Sequence, residues 1–262
     1  MSARWLHRWL ARPAARLRLL LLPHAGGSAA TYRSWATALP EWVEPIGVEL
    51  PGHGGRRGET PGTAVGAVTT ALAGELAGTP PGELVLFGHS MGGLLAFETA
   101  RRVRERTGVP PAGLLISGFD APWAPRPGRL RLPAPDDPRL LERLAGLGGV
   151  PSAVLADPAL CELLLPPLRA DLKLLRRYAP RPDEPLDCPV RVYRGTSDPL
   201  TSAAGMRAWR RESADFGERN FRGGHFYFQY EVGPLMSALI GDLAAAIATP
   251  VTAAPARRSG SG

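Results

Sequence analysis

One stretch of the chain, ELVLFGHSMGGLLAFETA at residues 83–100, limits the possible folds more than any other. Its first part, 83–87, is a short apolar run typical of a buried strand, and from Gly92 onwards apolar residues recur at helical spacing. Between the two lies the pattern Gly-x-Ser-x-Gly, formed by Gly88, Ser90 and Gly92. A strand that passes directly into a helix requires a tight, strained turn, and small residues on both sides leave room for it. The stretch therefore predicts a strand, a sharp turn carrying Ser90 as a nucleophile, and a helix.

Short apolar runs alternate with helical patterns along much of the chain. Strands are predicted at 17–22, 43–50, 83–87, 113–117 and 190–193, and helices at about 31–39, 63–77 and 92–106. This order is typical of parallel strands that are joined by crossover helices. The sequence thus predicts an α/β fold with a mostly parallel central sheet flanked by helices.

The interval from 120 to 189 interrupts this alternation. It opens with a loop rich in proline and arginine and continues with two helical patterns, at 139–147 and 158–178. A helical insertion between consecutive strands of one sheet must lie outside that sheet. We predict a lid insertion at about 121–187 within a domain that spans 17–248.

The charge of the chain is concentrated at its two ends. The sequence has 31 basic and 24 acidic residues and a net charge of +7, which by itself would suggest a nucleic-acid partner. The arginines of the first 18 residues and those at 257 and 258 account for the whole surplus. We therefore expect an arginine-rich arm at 1–16, a disordered tail at 249–262 and no nucleic-acid partner.

Neither a membrane segment nor a metal or nucleotide site is predicted. The apolar run Leu19–Leu22 is too short for a signal sequence or a membrane span. The two cysteines, Cys161 and Cys188, form neither a disulfide framework nor a zinc motif, and no phosphate-binding glycine pattern occurs. We expect a cytoplasmic protein without membrane attachment, metal or cofactor.

A serine nucleophile needs a base, and that base needs an acid to orient it. In proteins with this strand-turn-helix motif the chain order is serine, acid, histidine. His225, in the glycine-flanked loop RGGHFYF, is the histidine that follows Ser90 and is therefore the predicted base. Two aspartates come directly after predicted strands, Asp198 in GTSDP and Asp120 in SGFDAP. We favour Asp198 because a proline-terminated turn suits a fixed carboxylate, and Asp120 remains the alternative.

The oxyanion hole of such a site combines two backbone N–H groups. One comes from the residue after the nucleophile, here Met91, and the other from the loop after an early strand. In LLLLPHAGGS, Gly26 and Gly27 permit a close backbone approach, and Ala25 is the predicted donor. His24 is expected to fix this loop by hydrogen bonds.

Taken together, these motifs resemble the stand-alone type II thioesterases of polyketide and nonribosomal peptide synthesis. The resemblance runs through PHAGGS, LPGHGGR, GHSMGG, LGGVP, LLPPLRADLKLLRRY, GTSDP and GGHFYF, from about residue 17 to about residue 247. It implies an α/β-hydrolase fold, nucleophile Ser90, acid Asp198, base His225, and oxyanion donors Ala25 and Met91. The chain departs from the family at His53, where the family usually has arginine.

The resemblance also implies an activity and a partner. The expected reaction removes aberrant acyl groups from the phosphopantetheine thiol of acyl or peptidyl carrier proteins through an acyl-serine intermediate. The alternatives are a medium-chain fatty-acyl thioesterase or a carboxylesterase on the same fold. A catalytically silent carrier-binding module is an alternative of a different class.

Overall fold

The computed structural model describes residues 5–125 and 132–248. Its centre is a seven-stranded sheet in the order β1-β3-β2-β4-β5-β6-β7. The strands are β1 (Leu6–Arg8), β2 (Leu17–Leu22), β3 (Val43–Val48), β4 (Leu84–His89), β5 (Gly113–Ser117), β6 (Val190–Gly195) and β7 (Phe216–Phe221). All neighbouring strands are parallel except β1 and β3, which are antiparallel. The predicted fold class, a mostly parallel sheet with helices on both sides, is confirmed.

The helices cover both faces of the sheet and one end of it. They are α1 (Trp35–Ala38), α2 (Val65–Glu75), α3 (Met91–Thr107), α4 (Leu140–Ala145), α5 (Ser152–Leu155), α6 (Pro158–Arg177), α7 (Ala203–Arg207) and α8 (Val232–Ala248). No helix within the described ranges is long and apolar enough to cross a membrane.

The core lies in two layers, one on each face of the sheet. Leu20 and Leu22 of β2 point into the layer that contains α2, α3 and α6. Leu19 and Leu21 of the same strand point into the opposite layer, with α1 and α8. Because both faces of the strand are buried, it has a continuous apolar sequence rather than an alternating one.

The N-terminal segment contributes a strand that the sequence does not predict. Leu6 and Arg8 pair with Val48 and Ile46 of β3, which places part of the predicted arm inside the sheet. The indole of Trp9 covers Gly47, where a Cβ atom would lie 2.4 Å from the ring. This strand depends on tertiary pairing, since three residues interrupted by basic side chains carry no strand pattern of their own.

The predicted lid is helical in its described part. It consists of α4, α5 and α6, and the side chain of Asp157 caps α6 by accepting hydrogen bonds from two N–H groups of its first turn. The side chains of Leu164 and Leu168 lie over Gly26, in the loop after β2. The tail predicted at 249–262, and residues 126–131 of the loop that opens the lid, lie outside the described residues.

Candidate active site

Ser90 occupies a strained turn between β4 and α3. Its backbone has φ 54° and ψ −120°, a conformation that a residue with a side chain adopts only at a cost of about 1–3 kcal/mol. The Ser90 N–H donates to the carbonyl oxygen of Ser117 at 2.8 Å, and its own carbonyl accepts from the Gly93 N–H at 2.9 Å. Since these bonds come from two neighbouring elements, the surroundings hold the turn in place.

The two glycines of the motif allow this turn to pack against its neighbours. A Cβ atom on Gly88 would lie 1.9 Å from the carbonyl oxygen of Gly92. A Cβ atom on Gly92 would lie 2.1 Å from the carbonyl oxygen of Leu22, at the end of β2. Both obstacles are main chain and cannot swing aside. The glycines therefore bring the loop after β2 directly beside the start of α3.

Four candidate side chains follow four consecutive strands of the sheet. Ser90 comes after β4, Asp120 after β5, Asp198 after β6 and His225 after β7. The carboxyl ends of parallel strands meet at one edge of a sheet, so all four lie at that edge. Ser90, Asp120 and His225 line one small cavity there, together with Leu132 and Leu200.

Asp198 is the carboxylate that accepts a hydrogen bond from the histidine. Nδ1–H of His225 donates to Oδ2 of Asp198 at 2.9 Å, and the two residues are 2% and 5% exposed. The loops that carry them touch through main chain, because a Cβ atom on Gly195 would lie 2.1 Å from the carbonyl oxygen of Gly224. Among the described residues, Nε2 of His225 has no hydrogen-bond partner. The ring nitrogen opposite the carboxylate is thus able to accept a proton.

The Asp198 carboxylate is held by further donors. Its Oδ1 accepts from the Leu200 N–H at 2.8 Å, and its Oδ2 accepts from Oγ1 of Thr201 at 2.9 Å. Burial raises the pKa of Asp198, but the hydrogen bond and charge of His225 and these donors outweigh it and hold the pKa below its usual value. Asp198 therefore stays ionised and fixes the orientation of the imidazole.

Asp120 has a different role in the structure. It is 2% exposed, and its Oδ1 accepts from the Ser202 N–H at 3.0 Å. Its carboxyl group lies against Gly205, where a Cβ atom would approach it to 2.2 Å. Asp120 therefore anchors the start of α7, on the loop that carries Asp198.

The two predicted oxyanion donors lie on adjoining segments. Met91 begins α3, whose N-terminal end is the positive end of the helix dipole. Ala25 lies in the loop after β2, which packs closely against the start of α3 because Gly92 has no side chain. Neither N–H is used in the hydrogen bonds of the turns and loops that the structure describes. Gly26, at φ 74°, turns the loop and donates its own N–H to Oδ2 of Asp171 at 2.8 Å.

Two other histidines near the site, the partly exposed His24 and the buried His89, have lowered pKa values. Burial, and then the charges of His225 and His53, lower the pKa of His24 to about 4. Burial and the same His225 charge lower the pKa of His89 well below its usual value. His24 does not fix its loop by a hydrogen bond from Nδ1, which has no partner among the described residues; its ring packs edge-on against Phe226, with centroids 4.9 Å apart.

Comparisons with known proteins identify the family of this chain. The thioesterase domain family matches residues 17–241. The chain is 38% identical to the thioesterase PikA5 of Streptomyces venezuelae over 86% of this chain and 80% of that protein. It is 34% identical to the gramicidin S biosynthesis protein GrsT of Aneurinibacillus migulanus over 83% of this chain and 85% of that protein. The chain belongs to the thioesterase family.

A solved structure supports the same assignment. The type II thioesterase BorB from the borrelidin biosynthetic cluster superimposes with a TM-score of 0.81 at 33% identity, over 91% of this chain and 97% of BorB. The recognition of this chain as a type II thioesterase that acts on thioesters is confirmed.

A cleft of about 270 Å³ separates the lid of the thioesterase from the loops after β2 and β3. It is lined by Gly26 and His53 from these loops, and by Leu160, Leu163 and Leu164 from α6. Two of these leucines are unusually exposed, at 41% for Leu160 and 50% for Leu163. The lid thus presents apolar side chains close to the loop after β2, which carries the predicted oxyanion donor Ala25 and is called the oxyanion loop below.

The sequence does not predict two buried networks of the thioesterase. In one, Oγ of Ser117 lies 2.8 Å from Nδ1 of His89 and 2.7 Å from the hydroxyl of Tyr227. In the other, Asp171 of the lid bonds to the loops after β2 and β3. An aspartate on the apolar side of a predicted amphipathic helix is the signal that could have revealed the second network.

Proposed function

We propose that this thioesterase removes acyl groups from the phosphopantetheine thiol of carrier proteins in polyketide or nonribosomal peptide synthesis. The observation that supports it most directly is the Asp198–His225 pair beside Ser90, a nucleophile on a strained turn. The reaction needs no cofactor, because side chains, backbone N–H groups and water supply every step. An editing role, in which aberrant short acyl groups are cleared from stalled carriers, follows from the likeness to the type II enzymes.

The first step transfers the acyl group to the serine. Oγ of Ser90 attacks the thioester carbonyl carbon while Nε2 of His225 takes the hydroxyl proton. The N–H groups of Ala25 and Met91 stabilise the negative charge that develops on the carbonyl oxygen. The C–S bond then breaks, and the imidazolium of His225 returns its proton to the leaving thiol.

The second step releases the product. Water attacks the acyl-serine carbonyl, and His225 takes a proton from that water and gives it to Oγ of Ser90 as the ester bond breaks. The carboxylic acid leaves and the free enzyme is restored. In both steps the ionised Asp198 stabilises the imidazolium and keeps Nε2 directed at the reacting groups.

The lid carries a surface that suits an acidic carrier protein. Arg169, Lys173 and Arg177 follow one another at four-residue spacing on α6 and line a groove of about 520 Å³ with residues 60–63. Among the described residues, no acidic side chain lines this groove. A positive groove on the lid would steer a negatively charged partner towards the site.

A charge-reversal experiment tests this surface. We expect R169E/K173E/R177E to lower kcat/KM for an acyl-carrier protein at least about tenfold at low salt, and to leave hydrolysis of a small acyl thioester unchanged. The matched control R106E reverses an exposed charge on α3, outside the groove, and should change neither substrate. Equal losses on both substrates would contradict carrier docking at the groove.

Hydrolysis of a panel of acylated carrier proteins tests the function as a whole. The wild-type enzyme should release short acyl groups from carriers, and S90A should release none. A preference for medium-chain acyl thioesters or for oxygen esters would favour the fatty-acyl thioesterase or the carboxylesterase instead. Failure of a fluorophosphonate to label Ser90 would favour the silent carrier-binding module.

We also propose a cytoplasmic location. In its support, both cysteines are free, and Cys188 is a buried thiol, as is usual in a reducing compartment.

A further inference from the structure

His53 connects three segments of the thioesterase through one carboxylate. Its Nε2 lies 2.9 Å from Oδ2 of Asp171 in lid helix α6, and its Nδ1 lies 3.0 Å from the carbonyl oxygen of Pro51. The same Oδ2 of Asp171 accepts the N–H of Gly26, the residue after Ala25, at 2.8 Å. His53 and Asp171 are each 3% exposed, so water cannot substitute for these contacts.

The two ring contacts determine the protonation state that fits this site. The carbonyl oxygen of Pro51 can only accept a hydrogen bond, and so can an ionised Asp171. A neutral imidazole carries one N–H, so either neutral tautomer would direct a nitrogen lone pair at an oxygen lone pair. Only the imidazolium donates to both oxygens. The arrangement is therefore that of a buried ion pair with charge-assisted hydrogen bonds.

The charged groups around His53 favour the same state. Burial lowers the pKa of His53, but the hydrogen bond and charge of Asp171, the Pro51 carbonyl and the charge of Glu49 outweigh it and raise the pKa. A positive charge on His24 would oppose that on His53, but the pKa of His24 is lowered to about 4, so His24 is neutral near pH 7. Arg57 also carries a positive charge and lines the same cleft as His53.

We propose that His53, in its imidazolium form, is a positioning residue that ties lid helix α6 to the oxyanion loop through Asp171. This inference rests on the proposed role of the Ala25 N–H as an oxyanion donor. When His53 is protonated, Asp171 is held where it accepts the Gly26 N–H, and the adjoining Ala25 N–H stays directed at the reacting carbonyl. When His53 loses its proton, one ring nitrogen keeps its N–H and the other directs a lone pair at Oδ2 of Asp171 or at the carbonyl oxygen of Pro51. In either tautomer the positive charge that holds the Asp171 carboxylate is lost, so the hold on the loop weakens.

The pH dependence follows from the sign of this linkage. A histidine whose pKa is raised on folding stabilises the folded arrangement fully below its unfolded pKa, about 6.5, and this contribution is lost as the pH rises through the higher folded pKa. Deprotonation of His53 should therefore produce a loss of activity at the alkaline end, mainly in kcat, because oxyanion donors act in the transition state.

Two substitutions at His53 test the proposal through the pH profile. H53R keeps a positive charge at every accessible pH, and the adjoining cleft gives the longer side chain space. We expect H53R to retain the activity of the wild-type optimum and to lack its alkaline loss. We expect H53Q to fold and to lower kcat about tenfold at that optimum, with a flat alkaline side, as when a charge-assisted hydrogen bond becomes a neutral one. The control H7Q removes a partly exposed histidine whose Nε2 lies 4.0 Å from Oε2 of Glu49, and should keep the wild-type profile.

A spectroscopic measurement separates this proposal from the proposed function. In S90A, which is inactive if the proposed function holds, nitrogen NMR should show both ring nitrogens of His53 protonated at pH 6, and the Gly26 amide resonance should move with the titration of His53. D171N should abolish that movement. A neutral His53 ring at pH 6, a Gly26 amide that ignores the titration, or an unchanged alkaline loss in H53R would each overturn the proposal. If S90A remains active, the nucleophile assignment fails. The NMR titration still shows whether His53 is coupled to the Gly26 amide.

Discussion

Replacing Asp198 by asparagine tests the orienting acid most directly. In the wild-type site, Oδ1 of Asp198 accepts the Leu200 N–H, and Oδ2 accepts both Nδ1–H of His225 and the hydroxyl of Thr201. An asparagine has one acceptor oxygen and one NH₂ group in these two places. If its oxygen keeps the Leu200 N–H, its NH₂ group faces His225, and the imidazole must move its proton to Nε2.

This tautomer cannot act as a base towards Ser90, because its free lone pair faces the asparagine instead. The loss also includes the negative charge that stabilises the imidazolium in both steps. We expect kcat to fall about 10³- to 10⁴-fold, which corresponds to about 4–5.5 kcal/mol in activation free energy. KM should change little, because no substrate-binding group is altered.

The assay is steady-state hydrolysis of an acyl-carrier thioester by wild-type enzyme, D198N and D120N at one pH. D120N is the matched control, since Asp120 is also buried and also follows a strand, but bonds to the Ser202 N–H. We expect D120N to lose less than about tenfold, as its carbonyl oxygen can still accept that N–H. Near-normal turnover by D198N together with a large loss in D120N would refute the assignment and make Asp120 the acid.

Three further predictions concern stability and thiol reactivity. Arg12 donates hydrogen bonds of 2.7–3.0 Å to three main-chain carbonyls, so R12A should lower the free energy of unfolding, measured in urea, by about 3 kcal/mol. The control R16A, which removes an exposed arginine, should lower it by less than about 0.5 kcal/mol. Equal effects of the two substitutions would contradict an anchored N-terminal segment. G92A should yield no folded enzyme by circular dichroism, since its Cβ atom would lie 2.1 Å from a carbonyl oxygen, and a native spectrum would show that the turn is less constrained. Burial raises the pKa of Cys188 to about 12, so a thiol reagent should modify only the partly exposed Cys161. If the C161S variant is still labelled quickly, Cys188 is not buried as described.

The strands that the sequence predicts best are those buried on both faces. Leu17–Leu22 and Gly113–Ser117 have the predicted bounds, because a strand covered by helices on each side needs an unbroken apolar run. The edge strands β1 and β7 lack this signal. Phe216–Phe221 has the sequence FGERNF, and most of its residues are accessible to solvent. Its extended conformation is therefore explained by its pairing with β6 and not by an apolar pattern.

The candidate site shows the same division between local and tertiary information. The strand-turn-helix motif around Ser90 is local, and so is its glycine requirement. The choice between Asp120 and Asp198 is not local, because each follows a strand and the two strands, β5 and β6, are neighbours in the sheet. His225 follows β7, which pairs with β6, and this adjacency brings Asp198 to its Nδ1. Spacing along the chain contains no such information.

Several arginines near the N-terminus, which contribute to the net positive charge of the chain, are paired or buried in the structure. Arg8 forms an ion pair with Glu44 at 3.0 Å, Arg12 is buried on main-chain carbonyls, and Arg18 pairs with Glu83. Charges that are neutralised or buried in this way contribute little to the attraction of a distant partner. Within the part of the chain that the structure describes, no acidic side chain lines the groove of lid helix α6 beside its three bases. Steering of an acidic carrier protein should therefore depend on the lid rather than on the N-terminal segment, although the sequence concentrates its surplus charge at the ends.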